Sequence, residues 1–501
     1  MGKRELSLFD CVMLGVGSAL GPEIFLLLGL ASSLAGIQAV FSIIIAFFLA
    51  LLVGLCYAEL ATAMPCNGED YIFSRRAFKG MLPFIVGWIV WFGNIVYASF
   101  NAIAVAYFLK IFIPVPVGLT AISFIALSGA LLYLGFSTLK RVQNAMVAGL
   151  VILLAVFVFS TFGPGDWSYL SGLVGGNLST TFSTAAMLFI AFIGFEDIVS
   201  VCGEVKEPKK TIPRAIVVTL LVLVAIYVLV SLAVYSILPL SAVAASENAV
   251  LDAAGVTLGG TGRILLSIAG LLAIATSLNA AMTAGTMNAF ALGRDGYLPR
   301  KLSAVSAHFT PANAIIVTAA ISIVFAATEA VAFVVYLTDF SYFIAIAISS
   351  YALITLRKRQ PSLERPFKVP FYPFVPVAAI LLSVLAIASM QPQYLLVGAL
   401  WLLAGVLAYY LYVIGGARVK IALGGVLLLL SAVCFVSYFM VEAGYFILPK
   451  VDSFNPNGLV LLAAILLGTA GLYLILFTGK MPKLPREKGE AGENVDGGQH
   501  R

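Results

Sequence analysis

The sequence predicts an all-α integral membrane protein with about 14 transmembrane helices. Three observations lead there. Of the 501 residues, 61% are hydrophobic and only 10% are charged, whereas a soluble domain carries roughly 25% charged residues to keep its surface in water. The apolar residues fall in runs of about 20, the length that crosses a hydrocarbon core as a helix. Lipid offers the backbone no hydrogen-bonding partner, so such runs must satisfy themselves as helices.

The runs place spans near 8–34, 38–63, 83–110, 114–136, 142–162, 182–203, 213–238, 262–292, 313–337, 340–356, 374–390, 394–414, 420–441 and 457–478. Spans nine and ten are divided at Asp339, and eleven and twelve at Met390 to Tyr394. Lys and Arg resist translocation. Only Lys110, Arg263 and Lys450 lie on one side; the other 26 of the 29 basic residues fall at the opposite span ends and in the tail. Both termini are therefore expected in the cytoplasm, with the chain multi-pass in the cell membrane. The net charge of +6 is a topology signal and calls for no nucleic-acid partner.

Lys3 and Arg4 precede the first span as in a signal peptide. That span has no small-residue cleavage site and exceeds the usual apolar length, so it is expected to be retained. Cys11, Cys56, Cys66, Cys202 and Cys434 form no CxxC pair, and neither disulfides nor a metal or other cofactor is expected. Residues 479–501, polar and Gly-rich, are expected to form a disordered cytoplasmic tail.

Two spans are interrupted. The first reads Gly15-Val-Gly17-Ser18-Ala-Leu-Gly21-Pro22-Glu23-Ile24-Phe25. Gly17 and Gly21 alone would suit close helix packing. Pro22 followed at once by an ionisable Glu23 goes further, because Pro removes a donor and an intramembrane charge is expensive. The sixth span repeats the theme as Phe189-Ile190-Ala191-Phe192-Ile193-Gly194-Phe195-Glu196-Asp197; here the acids either serve function or lie near enough to the cytoplasmic end to be solvated. Breaks at corresponding positions of two halves point to a transporter site, where half-helix ends offer unpaired N–H and C=O groups to ionic solutes. Spans 1–5 and 6–10 would form two units of opposite orientation, because five is odd. The expected organisation is a first repeat over 1–162, broken near 15–23, and a second over 182–356, broken near 190–197. Accessory helices follow over 374–478.

At these residues the chain resembles the amino acid–polyamine–organocation permeases. The likeness runs over roughly 7–390. Its motifs are the Gly-rich first span ending in Ile24-Phe25, Gly68-Glu69-Asp70-Tyr71, Gly87-Trp88, Gly194-Phe195-Glu196 and Gly203-Glu204-Val205-Lys206-Glu207-Pro208. Ile212-Pro213-Arg214-Ala215-Ile216, Leu278-Asn279, Arg294-Asp295-Gly296-Tyr297-Leu298-Pro299, Arg365-Pro366-Phe367-Lys368-Val369-Pro370 and Tyr372-Pro373 follow in the family's order. The extra helices resemble the cationic amino-acid transporter branch. The resemblance implies a LeuT-like 5+5 inverted repeat and an amino-acid permease working by alternating access. It implies that the substrate carboxylate sits on Gly21, Pro22, Glu23 and Ile24, with Gly17 and Ser18 beside them. The amine is implied at Phe189, Ile190, Ala191 and Ile193, with Phe189, Ile190 or Phe192 as a thin gate.

The chain departs from the family at that carboxylate site. Pro22 has no N–H to donate. An ionised Glu23 would repel a carboxylate by about 4 kcal/mol at 4 Å and an effective dielectric of 20. Three accounts stand: Glu23 points away to a partner elsewhere, it is protonated when substrate sits, or it is the counter-charge of an amine substrate. The coupling ion is H⁺ or Na⁺, and the ion-coupling candidates are Glu23, Glu196, Thr276 and Ser277. The lysine that replaces sodium in some relatives is missing from Val142 to Phe162. Hydroxyls at Thr276 and Ser277, near Asn279, suit a hard cation or merely bond their own helix. Asn94 and Asn101 in span three either line the cavity or join helices.

The rivals are a polyamine or organic-amine carrier, and a channel or nutrient sensor on the same scaffold. An enzyme is not expected: the only histidines are His308 and His500, and no HExxH, GxSxG or P-loop occurs.

Overall fold

The computed structural model describes residues 6–64, 70–135, 140–166, 168–169, 177–202, 205–306, 310–410, 423–428, 430–431, 434 and 465–471. The chain divides into two units, Met1–Gly405 and Val406–Arg501. All the named elements among the described residues are helices. Among the described residues, seven helical segments are long and apolar enough to cross a membrane.

Ser7 starts the first helix, α1 (Leu8–Ala19), by accepting the Asp10 N–H at 3.3 Å while Asp10 accepts the Ser7 N–H at 2.9 Å. This reciprocal cap satisfies two donors that a helix start leaves open. The helix stops at Leu20 and Gly21, and α2 (Glu23–Ala35) begins after Pro22. The interruption is thus three residues long, inside the wider stretch the glycines suggest.

Next come α3 (Ala39–Ala63), α4 (Asp70–Ala77), α5 (Met81–Leu109), α6 (Val117–Tyr133) and α7 (Lys140–Ser160). Then α8 (Leu178–Leu188) runs into a 3₁₀ turn at Phe189–Phe192, and α9 (Asp197–Ser200) resumes beyond a turn through Gly194. After them stand α10 (Pro208–Ile237), α11 (Leu240–Ala245), α12 (Ala249–Thr257) and α13 (Gly259–Arg294). The first unit ends with α14 (Ala312–Ala326), α15 (Val331–Arg359), α16 (Phe374–Ala388) and most of α17 (Pro392–Tyr409).

The centre is α5, apolar around most of its circumference and buried along nearly its whole length. It packs against α13, α15, α14 and α6. A slab of rings fixes it to α17: Trp401 stacks on Trp88 at 4.8 Å and on Phe92 at 4.5 Å. The Trp88 indole N–H donates to the Trp401 carbonyl at 2.8 Å, so the polar edge of a buried aromatic is satisfied. Leu119, Phe159, Ile316 and Val324, by contrast, are each more than 60% exposed. Lipid solvates such side chains at no cost. The first unit is a multi-pass membrane protein.

Two expectations need correction. The chain does not divide at Asp339: α15 runs unbroken through it, and α14 and α15 part at 327–330. A lone carboxylate in an apolar run suggests a loop, but here it is buried inside a helix. The turn forms instead at Glu329, which adopts left-handed backbone (φ 55°) and accepts the Gly118 N–H of α6 at 2.9 Å. The sixth-span break also opens earlier, at Phe189. In the second unit residues 423–428 and 465–471 are helical, and Gly471 packs closely on the Gly424 carbonyl. Most of the two final spans, the tail, Cys66, Gly68-Glu69 and Gly203-Glu204 lie outside the described residues.

Candidate functional site

The two breaks meet face to face. Gly194 lies in positive-φ backbone (121°), and a Cβ built on it would stand 2.6 Å from the Ala19 nitrogen and 2.7 Å from the Ser18 carbonyl carbon. Only glycine allows both that dihedral and that approach. The backbones of the broken first and sixth helices therefore touch directly.

Tyr227 of α10 spans the junction. Its hydroxyl lies 2.9 Å from the Ala19 carbonyl and 2.7 Å from the Ala191 carbonyl, one from each break. A phenol has one proton to donate. Two carbonyls freed by the interruptions thus share one donor.

Glu23 opens α2 and is buried. It holds its own break with one oxygen and a partner on another helix with the other. One carboxylate oxygen accepts the Gly21 N–H at 2.9 Å, and the other accepts the Tyr97 hydroxyl of α5 at 2.8 Å. Ser277 of α13 donates in turn to the Tyr97 oxygen at 3.3 Å. Gly21 matters here because a Cβ would stand 2.9 Å from the glutamate oxygen. Glu23 thus occupies the backbone donor that the family resemblance assigns to a substrate carboxylate.

The second break repeats this pattern. Glu196 accepts the N–H of Gly194 at 2.9 Å, and Ser18 hydrogen-bonds the neighbouring Asp197. Both acids lie inside the protein, Glu196 buried and Asp197 partly so. The alternative in which they sit in water at a helix end does not hold for Glu196.

Two small cavities adjoin these groups. One of about 20 Å³ beside Glu23 is lined by Ile24, Leu28, Ala31, Ile43 and Leu188, with Ala191 and Tyr227 closing it. The other, about 30 Å³, is polar, with Ser18, Asn94, Tyr97, Glu196, Asp197 and Ser277 around it. Each holds a water or two at most, since one water needs about 10–15 Å³. Neither cavity has room for an amino acid.

The remaining expected residues divide. Gly17 is buried within α1. Phe189 packs at a tilt on Phe343 with ring centroids 4.7 Å apart, Phe192 meets Tyr227 edge-on at 5.6 Å, and the Ile190 carbonyl accepts the Ile193 N–H at 3.0 Å. Ile193 lines the polar cavity. Asn94 lines it too, while its amide donates to Val90 of its own helix at 3.0 Å. Asn101 likewise donates to Tyr97 at 2.9 Å. Thr276 stands apart. Its hydroxyl bonds its own helix at Ala273 (2.7 Å), and it lines a separate groove among α6, α7 and α13.

Sequence reasoning missed Tyr97, Tyr227 and Asp339. The Gly-x-Glu triplets at 21–23 and 194–196 were a readable sign that both breaks close on their own amides. Nothing local marks a tyrosine as the partner.

A second polar cluster lies at the Arg357 end of α15. Glu59 is fully buried and accepts from two of the Arg357 nitrogens, Nε at 2.7 Å and one Nη, and from the Val369 N–H at 2.7 Å. Arg365 stands 3.5 Å away, and the Arg357 guanidinium lies 4.0 Å over the Tyr372 ring. The Arg365–Pro373 motif therefore ties α3, α15 and the segment before α16 together.

The amino acid permease family profile matches residues 6–417. A branched-chain amino acid permease of Bacillus subtilis (strain 168) is 31% identical over 82% of this chain and 93% of its own length. A methylthioribose transporter of the same organism is 27% identical over the same shares. A branched-chain amino acid permease of Lactococcus lactis subsp. cremoris (strain MG1363) is 28% identical over 83% of this chain and 96% of its own length.

Proposed function

We propose that this chain, which belongs to the amino acid permease family, is a secondary carrier of aliphatic amino acids working by alternating access around its two breaks. The observation that carries the proposal is the junction itself: Gly194 against Ser18 and Ala19, with Tyr227 across both. Two broken helices in backbone contact offer N–H groups to a carboxylate and C=O groups to an ammonium. The oxygens of Ala19, Ala191 and Tyr227 converge with one proton among them, which suits an incoming ammonium donor. The aliphatic lining beside Glu23 suits a branched apolar side chain, and two relatives are named for branched-chain amino acids.

Glu23 supplies the coupling. A substrate carboxylate can take the Gly21 N–H only if the glutamate gives it up, and two carboxylates there repel unless one is protonated. Substrate entry and proton uptake are then the same event, and H⁺ is the coupling ion. Glu23 borders the aliphatic cavity and Tyr97 the polar one, so parting their hydrogen bond joins the two. Residues 1–162 and 182–356 form the two inverted repeats, and both termini face the cytoplasm.

A second reading is favoured by Glu23 alone: an amine such as a polyamine, bound with the glutamate as counter-charge. Thermal stability of the purified protein separates the two. Isoleucine, leucine or valine at about 100 times its Kd should stabilise it by about 2.7 kcal/mol, with putrescine and methylthioribose inert. Stabilisation by putrescine alone would favour the amine reading.

A further inference from the structure

Asp339 lies in the first third of α15, fully buried, and neither carboxylate oxygen makes a hydrogen bond of full geometry. Nothing in the coupling scheme uses it. Its surroundings can be read from the helix on which it sits. Phe340 faces Gly398 of α17, and Ser341 and Tyr342 face Gly93 of α5. Phe343, one turn on and on the same face as Asp339, packs at a tilt against Phe189 in the 3₁₀ turn of the sixth-helix break. Asp339 therefore looks at that break, where the Ile190 backbone is a polar neighbour.

The charged and titratable groups around it are few. Glu23 is within electrostatic reach from α2. Tyr336 lies one turn back on α15 and is stacked at 4.5 Å by Tyr394 of α17. Asp70 of α4 approaches α15 much further along, at Ser349, to which it is bonded at 2.5 Å. The elements packed on α15, namely α3, α4, α5, α8, the 3₁₀ turn and α16, carry no lysine or arginine except Arg75 and Arg76 in α4. A buried ion with no counter-charge, and no donor beyond the poorly aligned Ile190 backbone, is not a stable arrangement. Glu23 differs, since Gly21 and Tyr97 both donate to it.

We propose that Asp339 is a second proton site, carried as the neutral acid while the 3₁₀ turn of the broken sixth helix packs over it and emptied when that turn moves away. The step is a simple transfer. The carboxyl O–H bond breaks, its proton passes to a water admitted by the opening, and the carboxylate left behind is solvated by that water. The turn settles on α15 again only after a proton returns. This inference rests on the carrier reading for its role in transport, but not for its protonation.

Infrared difference spectra of the purified, substrate-free protein test the state. At neutral pH the wild type should show the carbonyl band of a protonated carboxylic acid that Asp339→Asn lacks. Asp339→Glu, which keeps the acid should the asparagine variant fold poorly, should shift the band. Superimposable spectra of wild type and the folded asparagine variant would overturn the proposal, as would an unshifted band in the glutamate variant. Isoleucine uptake into proteoliposomes tests the role. One proton across one pH unit supports about tenfold accumulation, and Asp339→Asn should lose that gain while isoleucine counterflow continues. Full accumulation by the variant would overturn the coupling role. A wild type that exchanges no isoleucine would instead count against the carrier reading, with the infrared result still deciding the protonation.

Discussion

Glu23 and Glu196 close the same kind of ring: each accepts, at 2.9 Å, the backbone N–H of the glycine two residues before it. One ring lies in the broken first helix and the other in the broken sixth. A glutamate that satisfies its own break stabilises the interruption without sealing it, because the bond can be exchanged for one to a solute. The same triplet at both breaks is what two halves built on one plan would leave.

Gly194→Ala should abolish transport. Its Cβ would sit 2.6 Å from the Ala19 nitrogen on backbone at φ 121°, and strain of this kind costs about 1–3 kcal/mol before the clash is counted. Uptake and thermal melting of the variant measure it. Wild-type values in both would mean that the breaks do not touch.

Tyr227→Phe removes the donor shared by Ala19 and Ala191. Two buried carbonyls are then unsatisfied, at about 1–3 kcal/mol. The variant should melt earlier and take up substrate more slowly, with little change in expression. Unchanged uptake would show that the latch plays no part in transport.

Much of this was legible from residue order. Pro22 beside Glu23 and Gly194 before Glu196 marked both breaks, because those residues have no use in a lipid-facing helix. Asp339 misled, since an acid inside a long apolar run looks the same in sequence whether it ends a helix or is buried within one. Thr276 and Ser277 are adjacent in sequence yet point to different surroundings, and only the rotation of α13 decides which meets Tyr97. Tyr227 was invisible, because a long-range partner has no local signal.

Tyr97→Phe leaves the ring fold of Glu23 but removes its side-chain donor. A hydrogen bond to a charged group contributes about 1.5–3 kcal/mol. The predicted result is a changed pH dependence of uptake with the protein still folded, read from uptake against external pH. An identical pH profile would separate Tyr97 from coupling.

Arg357→Ala leaves Glu59 buried with one arginine 3.5 Å away. Breaking a buried pair from one side costs about 3–5 kcal/mol. Adding Glu59→Gln should recover part of that loss in thermal melting, and additive losses would mean that the two do not act as a pair.

As proposed, the protein is an amino-acid carrier coupled to protons through Glu23. Uptake of labelled isoleucine into proteoliposomes under an imposed acid-outside gradient, for the wild type and Glu23→Gln, tests it most directly. The account predicts accumulation above the external concentration by the wild type, and a variant that only equilibrates isoleucine at a rate independent of pH. Wild-type uptake that never exceeds equilibrium, or a Glu23→Gln variant that still concentrates isoleucine with unchanged pH dependence, would contradict it.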